Sequence, residues 1–499
     1  MIFDRYRTTL VLSIFIIAAL FRFIDLSSRP MHGDEAINAV MSADVVESGQ
    51  FDYKPTQHHG PILYYTGALF SAFHGLTNIQ EFSESFLRGI TALIGFLLLW
   101  VGFGFRKTLN INIIILAIGF MAVSPSLVFY SRYFIHESFF VLFSFGLIAS
   151  GVQFLYTKKI GWLILAGITL GCLMSTKETW PIIIFSMGCA GTILYFNNGF
   201  KPSVSPKQFL IFIGVSIGTA FLFYSDFLQD IKHSTDFFSA FSPYLNRVAA
   251  EGIHNHSWTY YLNILFPFGY SGNGFHWGEG LIFMAFFLNL RIKEQPTIIS
   301  FLFWYSLILL TILSLIPYKT PWNILGIMPG VILVASYTIY HELEKPIMRN
   351  GVIGLLFGFM FLQSYSFNFI HEADQETPHV YAHPTKDVIT IESKIYEIAD
   401  KVDISVFVIA TDDDYWPFPW YLRHLKNVGY WNHVPVNVGD ASIILVSPDL
   451  ESDLVKALYE DSEPGESSLF LPLFDTKKEL RHGVEILSFI KKEVYELAQ

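Results

Sequence analysis

The residues able to do chemistry stand in short clusters between apolar stretches: His32-Gly33-Asp34-Glu35, His58-His59, Arg132 with His136-Glu137, Lys177-Glu178, and Tyr318-Lys319. Adjacent carboxylates such as Asp34 and Glu35 can act as a general base, hold a divalent cation or bind a sugar hydroxyl. A plainer reading is a solvated loop in which Asp34 caps a helix that continues through Ala36 and Ile37. His58 and His59 could ligate a metal or protonate a leaving group, or be ordinary exposed loop histidines. Helical spacing from Tyr133 puts Glu137 on the same face as Tyr133, with Arg132 and His136 on the neighbouring stripe. Such a cluster can clamp a phosphate with Arg and position an acceptor with Glu. Its bland counterpart is a snorkelling arginine and a local ion pair. Lys177 and Lys319 suit the phosphate of a lipid headgroup. A Lys177–Glu178 ion pair and an aromatic belt from Tyr318 and Trp322 are the alternatives.

The elements that must position these groups are membrane helices. Over 499 residues, 52% are hydrophobic and 17% aromatic, against 15% charged. That composition defines a multi-span α-helical membrane protein. Apolar runs begin at Thr8, Gly89, Ile111, Ser138, Ile160, Pro181, Phe209, Gly280, Ile298, Asn323 and Gly351, which makes about eleven spans. Arg5 and Arg7, Arg106-Lys107, Lys158-Lys159, Lys201 with Lys207, Arg291 with Lys293, and Lys345 with Arg349 occupy alternate connections. This is the pattern of cytoplasmic loops. It is consistent only if Pro61–His74 does not cross and is instead an interfacial or re-entrant helix. The N-terminus is then cytoplasmic, and all the chemical clusters face the other side. The first run reads as an uncleaved anchor, because no small-x-small site follows it. Two cysteines, Cys172 and Cys189, provide neither a disulfide framework nor a metal motif. No repeat, phosphate-cradling glycine loop or nucleic-acid patch occurs in the sequence.

Composition changes at about His371. Residues 371–499 carry 24 Asp and Glu against 11 Lys and Arg, a net of −13, and the remainder of the chain is +2, so the whole negative excess belongs to the tail. Ile404–Ala410 and Ala441–Val446 read as strands, and Thr385–Lys401 and Asp449–Tyr459 as helices. The expected organisation is a membrane domain over 1–370, with a catalytic first outer loop at 25–87, and a small extracytoplasmic α/β domain over 371–499. The long outer loop from Gln229 to Ser257, with His233, His254 and His256, reads as a lid or an acceptor-binding segment.

Asp34-Glu35 after the first span, His59-Gly60-Pro61-Ile62-Leu63-Tyr64-Tyr65, Ser131 to Glu137, Thr176-Lys177-Glu178 and Tyr318-Lys319-Thr320-Pro321-Trp322 together resemble the GT-C superfamily of membrane glycosyltransferases. The closer likeness is to the flippase activity-associated proteins, relatives of the protein mannosyltransferase and aminoarabinose transferase families. Tyr415-Trp416-Pro417-Phe418-Pro419-Trp420-Tyr421-Leu422-Arg423 is similar to that subgroup's signature.

The resemblance implies inverting transfer of a sugar from a polyprenyl-phosphate donor to an acceptor on the non-cytoplasmic face. It assigns catalytic roles to Asp34, Glu35 and Glu137. Substrate binding falls to His58, His59, Arg132, His136, Lys177, Glu178, Tyr318 and Lys319. The cofactor stays undefined, with a divalent cation as one option, because His136-Glu137 replaces the paired acids of the superfamily. The expected partners are the donor lipid, the membrane and an unspecified acceptor, with no nucleic acid. The competing class is a flippase or transporter component for lipid-linked sugars, which would carry ionisable groups at mid-membrane depth. A third reading is an assembly factor with a partner-binding tail.

Overall fold

The computed structural model describes residues 7–55, 59–239, 241–242, 252, 254–266, 277–460 and 468–499. His58 and the side chain of His233 lie outside the described residues. Each of the eleven apolar runs folds as a helix: α1 (Arg7–Phe23), α4 (Glu84–Val101), α5 (Ile111–Val123), α7 (Glu137–Thr157), α8 (Ile160–Met174), α9 (Trp180–Asn198), α10 (Pro206–Tyr224), α11 (Gly278–Leu288), α12 (Thr297–Leu315), α13 (Met328–Glu342) and α14 (Pro346–Tyr365). Six of these segments are long and apolar enough to cross a membrane unaided, and a seventh is counted if α5 and the short α6 (Pro125–Ser131) form one bent span. The 56° bend between them falls at Ser124-Pro125, where proline ends one hydrogen-bond ladder and opens the next. The chain is an integral membrane protein.

Between α1 and α4 run α2 (Gly33–Ser48) and α3 (Ile62–His74), which pack on each other. At 13 residues, α3 extends about 20 Å, short of the roughly 30 Å hydrocarbon core. Interior helices such as α13 bury nearly every side chain among apolar neighbours.

Beyond residue 370 the chain forms α15 (Asp387–Ala399) and a six-stranded sheet. Strands β1 (Val406–Ile409), β2 (Val428–Trp431) and β3 (Ile443–Val446) are parallel, in the order β2-β1-β3. β6 (Val484–Lys491) then pairs antiparallel with β3, with β4 (Phe470–Pro472) and with β5 (Lys478–Arg481). β1 and β3 are buried on both faces, which explains their unbroken apolar sequence.

The Tyr415–Arg423 segment fastens this sheet to the membrane half. Trp420 is fully buried and donates from Nε1 to Glu84 at 2.7 Å. Arg423 stacks 3.8 Å from the Trp420 ring and donates to the Phe82 carbonyl at 3.0 Å. The Tyr421 hydroxyl accepts the Met31 N–H at 2.7 Å. The tail aromatics therefore pack the sheet onto the connection that carries Asp34.

Candidate active site

Helix α2 starts with a capping box. The His32 Nδ1 accepts the Asp34 N–H at 3.0 Å, and the Glu35 carboxylate accepts the His32 N–H at 3.1 Å. Each side chain satisfies an N–H that the helix itself leaves open. The turn sends the two neighbouring acids in opposite directions. Asp34 is exposed, whereas Glu35 is wholly buried.

Glu35 belongs to an internal framework. Arg88 of α4 donates from Nε and Nη2 to its two oxygens, both at 2.8 Å, and the Phe134 N–H adds a contact of 2.9 Å. Burial alone would raise the Glu35 pKa, but Arg88 and these hydrogen bonds outweigh it and hold it at about 2. The other Arg88 protons go to the carbonyls of Leu26, Arg29 and Pro30. Asn38, one helical turn beyond Asp34, donates to the Phe134 carbonyl at 3.0 Å. The α1–α2 connection and the 132–136 connection are thereby locked together.

A second lock joins His59-Gly60-Pro61 to Ser175-Thr176. Gly60 N–H donates to Thr176 O and Ile62 N–H to Ser175 O, both at 3.2 Å. A Cβ on Gly60 would lie 2.2 Å from the Ser175 carbonyl oxygen, so only glycine permits this approach. His136 Nε2 donates to the Gly60 carbonyl at 3.0 Å.

These locks enclose a cavity of about 230 Å³ lined by Asp34, Asn38, His59, Tyr64, His136, Glu137, Lys177, Tyr318, Thr320, Trp322 and Asn323, among others. Lys177 Nζ donates to Glu137 at 2.7 Å, and both side chains are nearly buried. His59, about a third exposed, pairs through Nδ1 with the buried Glu178 at 2.8 Å. Burial would raise the Glu178 pKa, but His59, hydrogen bonds and Lys177 bring it below the ordinary carboxylate value. A narrower crevice shares Glu137, Lys177, Tyr318 and Trp322 with this cavity. It continues between Phe140 and Val141 of α7, Ile182 and Ile183 of α9, and Leu309 and Leu313 of α12. A polar chamber thus shares a wall with a narrow apolar slot of about 30 Å³.

Two expected phosphate ligands are engaged elsewhere. The Arg132 guanidinium donates to the carbonyls of Phe21, Ile24 and Asp25 at 3.1, 2.6 and 2.9 Å and lies over the Phe369 ring. It caps the end of α1, where carbonyls lack partners in the helix. Lys319 donates to the carbonyls of His256, Ile316 and Pro317, and burial lowers its pKa. Tyr318 and Thr320 on either side of it do line the cavity. Glu178 stands behind His59, and Glu35 behind the wall.

Asn38, Tyr64, Thr320, Trp322 and Asn323 are the lining residues not singled out from sequence. Asn38 sits four residues after Asp34 and so shares its helix face. The Tyr64 hydroxyl donates to Asn38 at 3.2 Å. His254, from the expected lid, bonds the Tyr381 hydroxyl at 2.6 Å, and His32 Nε2 donates to the Tyr381 carbonyl at 3.1 Å. Among the described residues no three His, Cys, Asp or Glu side chains converge as a metal-ligand set, and Glu137 is engaged by Lys177.

With this geometry in hand, known proteins offer a direct comparison. Residues 69–225 match the family described as dolichyl-phosphate-mannose-protein mannosyltransferase. No curated protein matches the chain. ArnT from Cupriavidus metallidurans bound to undecaprenyl phosphate superposes with a TM-score of 0.68 at 13% identity, covering 96% of this chain and 98% of that one. The same protein in the apo state gives 0.66 at 12% identity, covering 97% and 98%. The Archaeoglobus fulgidus oligosaccharyltransferase in complex with Zn and sulfate gives 0.53 at 12% identity, covering 90% of this chain and 69% of that one. The chain has the fold of the GT-C membrane glycosyltransferases.

Proposed function

We propose that this protein is a membrane glycosyltransferase that moves a sugar from a polyprenyl-phosphate donor to an acceptor on the non-cytoplasmic face. The observation that carries this reading is the joining of chamber and slot. Asp34, His59 and the Glu137–Lys177 pair meet in a polar space that shares its Glu137, Lys177 and Trp322 wall with an apolar crevice between α7, α9 and α12. A sugar phosphate on an isoprenoid chain has that same division into polar and apolar parts. Support also comes from the neighbour solved with undecaprenyl phosphate and from the mannosyltransferase family match.

In the proposed mechanism Asp34 accepts the proton of the acceptor hydroxyl as that oxygen attacks the anomeric carbon. The bond from this carbon to the donor phosphate oxygen breaks on the opposite side, which inverts the configuration. The lipid phosphate departs with the electron pair, and no covalent enzyme intermediate forms. Lys177 opposes the growing phosphate charge inside a partly dry chamber, where a fixed cation gains most. Glu137 holds Lys177 in place, and Asn38 and Tyr64 offer hydrogen bonds to the sugar.

The domain organisation in this reading is a membrane domain over 1–370, with its first outer loop at 25–87, and an extracytoplasmic domain over 371–499. The N-terminus lies in the cytoplasm. The closer likeness to the flippase activity-associated proteins rests on sequence motifs such as Tyr415–Arg423. Reconstituted protein offered radiolabelled polyprenyl-phosphate sugars and cell-envelope acceptors tests the proposal. Label in the acceptor supports it, and movement of intact donor across the vesicle without bond cleavage overturns it in favour of a transporter.

A further inference from the structure

A larger cavity, about 560 Å³, lies between the opposite ends of the same three helices. Gly151 and Leu155 of α7, Met187 and Leu194 of α9, and Ile298 and Phe301 of α12 wall it, and Lys107 stands at its edge. Val141 in the outer crevice and Gly151 here are ten residues apart on one helix, or about 15 Å. The two linings share no residue, although along α9 they come within one helical turn, from Ile183 to Met187.

Two features suit this cavity to an occupant. Gly151 sits inside α7, where glycine costs about 1 kcal/mol relative to alanine. A Cβ built on it would meet nothing within 4 Å, so close helix packing does not explain the residue, and its effect is to widen the cavity. The end of the bundle at which the cavity lies is also basic. Lys107 is exposed, and Arg106, Lys158, Lys159, Lys201 and Lys293 are exposed in the connections at that end, against Glu294. An apolar space with Lys107 at its edge, at the basic end of the bundle, matches an amphiphile with an acidic head.

We propose that this cavity binds an acidic membrane phospholipid, with an acyl chain against Gly151 and the phosphate at Lys107. The site is distinct from the Asp34 chamber and does not depend on the transferase reading.

The test is native mass spectrometry of the full-length protein in detergent, titrated with phosphatidylglycerol and with phosphatidylcholine of identical chains. The expected result is a tightly held phosphatidylglycerol adduct. Lys107→Gln should weaken it about fivefold, the worth of one cation near a lipid headgroup, and leave phosphatidylcholine binding unchanged. Gly151→Leu should abolish the adduct by filling the space, with an unaltered melting temperature showing that the helix tolerates it. Equal retention of the two lipids, or an adduct insensitive to Gly151→Leu, overturns the proposal. Displacement of phosphatidylglycerol by a neutral polyprenol also overturns it and reassigns the cavity to an isoprenoid chain.

Discussion

Arg88 grips both oxygens of Glu35 at 2.8 Å inside the protein, while Asp34, one residue earlier, faces the chamber. The adjacent acids are therefore separable by experiment. Arg88→Met leaves a buried carboxylate without its partner and should cost about 3–5 kcal/mol of stability. Thermal unfolding in detergent would register this as a clear loss of melting temperature, and an unchanged melting temperature would contradict the framework role.

Asp34→Asn should do the reverse. Loss of the proposed base predicts a fall in transfer of about a hundred- to ten-thousandfold with melting unaltered, because Asp34 is exposed. Sugar transfer by this variant at near wild-type rate would remove Asp34 from the mechanism.

The three cations expected at the phosphate divide in the same way. Lys177→Met should lower kcat/KM by about a hundredfold. Arg132→Gln should lower stability and leave donor KM near wild type, since its guanidinium serves the carbonyls at the end of α1. Lys319→Met should behave like Arg132→Gln. Steady-state kinetics alongside melting curves distinguish the two patterns.

Gly60→Ala inserts a methyl where the Ser175 carbonyl stands 2.2 Å away. The two connections must part, which displaces His59 from the chamber. A shift of this kind costs about a hundredfold in rate, and a fully active Gly60→Ala enzyme would show that the contact is dispensable.

Acid should destabilise the fold through two buried histidines, offset in part between pH 7 and 4.5 by Glu392, whose pKa burial and Glu84 raise to about 7 so that the folded chain takes up that proton first. Burial lowers the His379 pKa from its ordinary 6.5 to about 3, and His383 moves in the same direction, with His32 and Arg29 adding to the effect. The unfolded chain takes up protons near pH 6.5 that the folded chain refuses, so this stability is complete above 6.5 and declines as pH falls. The slope is about 1.4 kcal/mol per pH unit for each histidine. Glu35, held at about 2 against an ordinary 4.5, adds its own loss only below about 4.5. Melting curves from pH 7.5 to 5 should show the decline, and His379→Phe should flatten it.

The helices were legible because each apolar run is long and ends in polar residues. The chamber was legible because its groups cluster where those runs stop. Arg132 and Lys319 are engaged away from the chamber: the carbonyls that Arg132 caps are more than a hundred residues away in sequence, so no local motif reveals them, whereas Lys319 turns back onto the nearby carbonyls of Ile316 and Pro317. Arg88 stands one residue before the apolar run that begins at Gly89, where a charge beside hydrocarbon calls for a buried partner. β1 and β3 read clearly as continuous apolar strands. β5 and β6 did not, because Lys478, Glu479, Arg481, Glu485 and Lys491 break up their alternation.

The hydrogen bond from Met31 to the Tyr421 hydroxyl ties the sheet to the backbone three residues ahead of the proposed base. Cutting the chain near residue 371 would remove the clamp that sets the pitch of α2, so neither half is a fair surrogate for the whole. Any macromolecule that pulls on the sheet pulls on Asp34 as well.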